Sequence, residues 1–243
     1  MSNNSSSYES DLENSIILNV NLDALKKSVS NVFQVQCTSI QEFNEGGFHK
    51  VYILKMEDGK EYIGRLAISV YLQWKTESEV AVIEYIRLNT HIPVPKIYYW
   101  NSSVNNSVGT EYILMKYLPG IHFCEIWSNL SIKKKKLFLL KIIDIQLALK
   151  KLTFLKIGSI FFDAKNDQFE IGQDDGNDTF VLTHIDFHTS NILVKNDEII
   201  GVIDWECSDE ISHRDPDFIR TMDNIDEEKK NFIPQCLAKK YGK

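Results

Sequence analysis
Between Thr183 and Glu206 the chain reads THIDFHTSNILVKNDEIIGVIDWE, with oxygen-bearing side chains at the ends of two short apolar runs. The runs ILV and IIGVI have strand character, and the polar KNDE between them reads as a turn. With that turn centred between Asp197 and Glu198, Asn191 and Asp204 oppose each other across a hairpin. Directly opposed residues hold their Cβ atoms roughly 5 Å apart. An amide oxygen and a carboxylate at that separation can share one hard cation such as Mg2+. Asp186 sits on the loop entering the hairpin, within reach of the same place. Turns and strand ends collect Asn and Asp for local reasons, so the joint placement, not any one residue, marks a candidate site.

The elements needed to position these residues are legible along the chain. Residues 1–14, rich in Ser and Asn, read as a disordered tail. NLDALKKSVSNVF reads as a helix capped by Asn21, with Leu22, Leu25, Val29 and Phe33 at helical spacing. VYILKM and EYIGRLA flank Asp58-Gly59, a strong hairpin signal. A helix is predicted from Thr76, as a cap, to Asn89. HIPVPKIYYW is extended through its prolines, and EYILMKYLPG reads as a buried strand ending at Pro119-Gly120. SIKKKKLFLLKIIDIQLALKKL is the longest helical segment, apolar almost all round and expected to be well buried. A strand-rich half followed by a helix-rich half with one hairpin is an α+β pattern with two lobes, spanning residues 15–118 and 119–243.

Composition narrows the class. The chain has 243 residues, 43% hydrophobic and 25% charged, ordinary for a globular protein. The formal charge of -7 argues against nucleic-acid binding and is compatible with a cationic small substrate. No apolar run is long enough to span a membrane, and the N-terminus lacks the pattern of a secretory signal. Cys37, Cys124, Cys207 and Cys236 are widely spaced with no zinc-type pairing, which reads as reduced thiols in a cytoplasmic protein.

His184-Ile185-Asp186-x4-Asn191 followed by Ile203-Asp204-Trp205-Glu206 resembles the signature of the aminoglycoside phosphotransferase and choline kinase-like family, relatives of the protein kinases. The resemblance runs over roughly residues 35–206 and implies a two-lobed protein-kinase-like fold. Its N-lobe would be an antiparallel sheet; its C-lobe would be mainly helical, shortened, and carry the catalytic hairpin. It implies Asp186 as catalytic base, Asn191 and Asp204 as metal ligands, and His184 as the structural histidine of the catalytic loop. The implied reaction moves the γ-phosphate of ATP, with Mg2+, to a hydroxyl of a small molecule.

The same resemblance extends to the strand-rich half. Gly46-Gly47 would let backbone N–H groups approach phosphate, although the pair also fits an ordinary hairpin turn. Arg65 resembles the strand cation that contacts the α- and β-phosphates, and Glu79 resembles its helix partner, with Glu77 and Glu84 as rivals. Met115 would line the nucleotide pocket, and backbone groups of Lys116, Tyr117 and Leu118 would meet the adenine ring.

Some features depart from the family or stay open. Ile185 stands where the family usually has Gly, and only residues 205–243 follow Asp204. Lys133–Lys136 fit either the solvated first turn of a helix or an anionic membrane surface. Asp209, Glu210, Asp215 and Asp217 fit either attraction of a cationic acceptor or a solvated loop, and Asp215-Pro216 fits an anchor to the C-lobe. The alternative to an enzyme is a catalytically impaired, kinase-like module that binds nucleotide or a partner protein.

Overall fold
The computed structural model describes residues 20–45, 49–68, 73–163, 168–174, 180–205 and 208–212. The expected tail at 1–14, Gly46-Gly47, Asp215 and Asp217 lie outside them. The chain forms two compact units, residues 1–80 with 96–117, and residues 81–95 with 118–243.

The first unit is built on α1 (Leu22–Phe33) and a five-stranded antiparallel sheet. Asn21 Oδ1 accepts the Ala24 N–H and starts α1, and Gln34 ends it in the left-handed region at φ 55. The strands are β1 (Cys37–Glu45), β2 (His49–Met56), β3 (Glu61–Ala67), β4 (Ile97–Asn101) and β5 (Tyr112–Lys116), in the order β1-β2-β3-β5-β4. Gly59, with φ 81, turns β2 into β3 as the Asp58-Gly59 pair predicts. Leu25 and Val29 of α1 are buried against Cys37, Leu54, Leu66 and Leu114 of the sheet. Burying a side chain of this size stabilises by about 1.5–3 kcal/mol.

Helix α2 (Gln73–Asn89) begins one turn earlier than the Thr76 cap would place it. Thr76 is 5% exposed, and its hydroxyl is hydrogen-bonded to buried Glu111 rather than capping the helix. Farther along the helix, Val80 packs on Ile113 and Met115.

The second unit contains β6 (Ile121–His122), α3 (Phe123–Trp127) and α4 (Ile132–Lys150), followed by β7 (Thr153–Phe154), β8 (Lys156–Asp163) and β9 (Gln168–Asp174). After these come β10 (Phe180–His184), a 3-10 turn at Thr189–Asn191, β11 (Ile192–Lys195), β12 (Glu198–Val202) and β13 (Ser208–Ser212). They form small sheets, β13-β10-β7, β12-β11-β6 and β8-β9. The β8–β9 hairpin occupies a stretch that reads in sequence only as a polar segment.

Ser131 caps α4 through its hydroxyl. Phe138, Ile145 and Leu149 of α4 are buried, but Ile132, Leu137 and Leu139 are 72%, 52% and 46% exposed. Only one face of the helix meets packed neighbours, so burial all round does not hold. Three of its lysines meet groups of the same unit at the surface. Lys134 Nζ reaches both Asp197 carboxylate oxygens at 2.9 and 2.8 Å, Lys141 Nζ meets Glu198 at 2.6 Å, and Lys135 sits over the Trp127 ring.

Beneath that helix, Phe123 and Phe138 pack with Ile192 and Val194 of the hairpin. Gly201 permits a close approach here, because a Cβ at that position would lie 2.5 Å from Leu118 Cδ1.

Candidate active site
The hairpin closes differently from the sequence reading. Lys195 pairs with Glu198, and both intervening residues, Asn196 and Asp197, have positive φ, at 52 and 62. Two left-handed central residues make a type I′ turn, and Asn and Asp tolerate that region best after glycine. The turn is therefore centred one residue earlier than expected. A bulge between Leu193 and Val194 then restores one residue of offset, so Ile192 opposes Val202. The next pair is joined by Ile203 N–H donating to the Asn191 carbonyl at 3.0 Å. Asn191 therefore faces Ile203, and Asp204 lies one residue beyond. Asp204 has φ 68, a left-handed non-glycine at the strand exit of the kind that gathers at functional sites.

Asp186 and Asn191 are joined more closely than the hairpin alone requires. Asn191 is 8% exposed, and its Nδ2 donates to the Asp186 carbonyl and to Asp186 Oδ2, each at 2.9 Å. With both amide hydrogens committed, Oδ1 is the atom of Asn191 left for a cation. His188 Nε2 lies 3.0 Å from Asp186 Oδ1. The carboxylate is thus bracketed from both sides while remaining half-exposed.

His184, 3% exposed, joins β10 to the residue before Asp204. Its Nε2 lies 3.0 Å from the Ile203 carbonyl, which can only accept, so Nε2 carries the proton. The ring packs on Trp205 and Phe187, with centroids 4.3 and 5.6 Å away. Burial pushes the imidazole below its ordinary value, opposed by the Ile203 hydrogen bond and the charges of Asp204 and Asp186. Neighbouring Ile185 is 57% exposed and is not among the positive-φ residues, so its backbone stays out of the region that would demand glycine.

Along α2 the three candidate glutamates separate. Glu79 meets Arg65 in an ion pair whose side chains are 3% and 12% exposed. Glu77 accepts from the Ser102 hydroxyl at 2.7 Å, and Glu84 pairs with Arg87. The Arg65–Glu79 pair is buried, not exposed. Breaking such a pair costs about 3–5 kcal/mol, because the remaining charge is left desolvated.

Met115 lies in the buried cluster with Ile63 and Val80. Lys116 N–H donates to the Lys96 carbonyl, and the Leu118 carbonyl accepts from Gly120 N–H, each at 2.8 Å. Those two groups are committed within the protein, which narrows the backbone available to an adenine ring. Tyr117 stacks edge-on against Phe43.

Among the described residues no three His, Cys, Asp or Glu side chains are grouped to hold a metal ion. An Asn–Asp oxygen pair still suits Mg2+, which binds through one or two protein groups together with phosphate and water. Sequence reasoning missed His188 and Ser190, whose signal was a histidine two residues after Asp186 in the same loop.

Residues 162–228 match the phosphotransferase enzyme family, APH. The gentamicin complex of APH(2")-IIa superposes with a TM-score of 0.57 at 11% identity, covering 80% of this chain and 73% of the other. Macrolide 2'-phosphotransferase MphH of Brachybacterium faecium gives 0.54 at 16% identity, covering 78% and 73%. This is the protein-kinase-like fold of the aminoglycoside phosphotransferases. The ternary complex of a thermostable APH(4)-Ia mutant with ADP and hygromycin B shares that fold at a TM-score of 0.52 and 14% identity, covering 77% and 72%.

Among curated proteins, a subtelomeric hrmA-associated cluster protein of Aspergillus fumigatus is 31% identical over 130 residues, 53% of this chain and 26% of the relative. Altered inheritance of mitochondria protein 9, mitochondrial, of Yarrowia lipolytica is 29% identical over 141 residues, 53% of this chain and 24% of the relative. The Candida tropicalis protein of that name is 29% identical over 161 residues, covering 62% and 26%. The chain spans about a quarter of the length of the curated relatives it matches. The cytoplasmic expectation does not stand, because the Yarrowia lipolytica and Candida tropicalis relatives are named as mitochondrial proteins. Among the described residues no helix is long and apolar enough to cross a membrane.

Proposed function
We propose that the chain is a kinase-like phosphotransferase that moves the γ-phosphate of ATP to a hydroxyl of a small molecule, with Asp186 as the base. The observation that carries this reading is the double hydrogen bond from buried Asn191 to Asp186, on a hairpin that leads directly into Asp204. Phosphoryl transfer needs an aligned hydroxyl, an aligned phosphate and neutralised charge, with little covalent help from the protein. Asp186 takes the proton of the acceptor hydroxyl as that oxygen bonds to the γ-phosphorus and the bond to the departing ADP breaks. Arg65, held by Glu79, neutralises phosphate oxygens with a charge fixed at any relevant pH.

Asn191 Oδ1 and the Asp204 carboxylate would hold Mg2+, which supplies further neutralisation of phosphate charge. His184 keeps the Asp204 approach in register with the Asp186 loop. Met115, Tyr117 and the uncommitted backbone of Lys116 and Leu118 would receive the adenine, and Gly46-Gly47 the phosphates. The ADP and AMP-PNP complexes of APH(4)-Ia mutants support the nucleotide part of this reading. The net charge of -7 favours a cationic hydroxyl compound as acceptor. The mitochondrial relatives support a mitochondrial location, which imaging of the tagged full chain tests.

Asp186→Ala is expected to abolish ATP turnover while leaving nucleotide affinity within about twofold, since the base contributes to the transition state rather than to binding. Equal turnover in both proteins removes Asp186 as the base. Nucleotide binding without turnover in the wild type would instead favour the binding-module reading.

A further inference from the structure
The bracket on Asp186 has a second layer in the same loop. Ser190 N–H donates to His188 Nδ1 at 3.2 Å, and the Ser190 hydroxyl is hydrogen-bonded to the same nitrogen. A main-chain N–H can only donate, so Nδ1 is the unprotonated nitrogen. The proton of the neutral ring is therefore on Nε2, the atom 3.0 Å from Asp186 Oδ1. The imidazole is oriented at both ends, as an acceptor toward Ser190 and a donor toward Asp186. Ser190 is itself anchored, because its carbonyl lies 2.5 Å from His122 Nδ1.

We propose that His188 is a positioning residue for the Asp186 carboxylate, with Ser190 setting its tautomer. His188 holds Oδ1 while Asn191 holds Oδ2, which fixes the carboxylate plane and limits rotation about χ2. A half-exposed carboxylate held only by Asn191 would swing, and misplacing a base lowers turnover more than substrate affinity. The catalytic consequence rests on the phosphotransferase reading, whereas the orientation of His188 does not.

Long-range 1H–15N spectra of the full-length wild type at mildly alkaline pH read the orientation directly. The His188 ring should carry its proton on Nε2, and Asp186→Ala should shift that proton's resonance. A proton on Nδ1, or an Nε2 resonance unmoved by Asp186→Ala, overturns the proposal. In turnover assays His188→Ala should lower kcat about tenfold with KM for ATP nearly unchanged. His188→Gln, which retains an N–H donor, should recover part of that loss. Equal kcat in all three proteins overturns the positioning role. Should the wild type show no turnover, the enzyme reading fails, and the spectra still decide whether His188 holds Asp186.

Discussion

Asn191 and Asp186 form a closed local unit in which one buried amide donates to both the main-chain carbonyl and the carboxylate of the same aspartate. The amide thereby fixes where the candidate base stands and which of its own atoms is left for a cation. A carboxylate at position 191 cannot donate either bond and would add charge beside Asp186. Asn191→Asp is expected to cost about 1–3 kcal/mol, the penalty for buried polar groups that lose their partners. Chemical denaturation measures this, and an unchanged midpoint would show that the two bonds contribute nothing.

The buried Arg65–Glu79 pair separates stability from function. Glu79→Ala should destabilise by about 3–5 kcal/mol by taking the carboxylate away from the largely desolvated guanidinium. The double change Arg65→Met with Glu79→Leu should recover most of that loss in denaturation, because two apolar side chains replace the pair. Its nucleotide affinity should remain weak. Full affinity in the double variant would remove Arg65 from the phosphate site.

His184 makes stability depend on acid. Its folded pKa is depressed by burial below the ordinary 6.5, so the unfolded chain binds the extra proton first as pH falls. The contribution is complete above pH 6.5 and is lost as pH drops toward the folded value. His184→Gln keeps a donor for the Ile203 carbonyl and has no proton to gain. The variant should show a flatter fall in unfolding free energy below pH 6.5, and parallel curves would contradict the assignment.

Glu111 acts with the opposite sign. Burial raises its pKa above the ordinary 4.5, against the Thr76 hydrogen bond. A raised folded value means stability falls as pH climbs from 4.5 through that value, because the unfolded carboxyl loses its proton first. Glu111→Gln should be more stable than wild type at neutral pH, with the gain vanishing in acid. Thermal unfolding at two pH values distinguishes this from a uniform change.

What the sequence disclosed followed from how local each signal is. The Asn21 cap and the Asp58-Gly59 turn appear in the structure, whereas Glu79, which pairs with Arg65, is singled out by the family resemblance and not by a local signal. The hairpin register was not legible, because ILV and IIGVI are apolar without alternation, so the sequence does not distinguish pairings that differ by one residue. The β8–β9 hairpin went unseen because its strands adjoin polar stretches, and the alternation of Phe169 and Ile171 with polar neighbours is too short to stand out there. Thr76 misled as a cap because its partner, Glu111, lies just before β5, distant in sequence. His188 was passed over because a loop histidine carries no periodic signal, and only its hydrogen bonds reveal its orientation.

Thermal unfolding of wild type and Asp204→Ala in ATP, with and without Mg2+, tests the proposed phosphotransfer site most directly. Ligand at 100 times its Kd stabilises the folded state by about 2.7 kcal/mol, well within reach of the measurement. ATP should raise the wild-type Tm, Mg2+ should add to that rise, and Asp204→Ala should lose the metal-dependent part. No shift with ATP in the wild type, or an identical Mg2+ increment in both proteins, would contradict it.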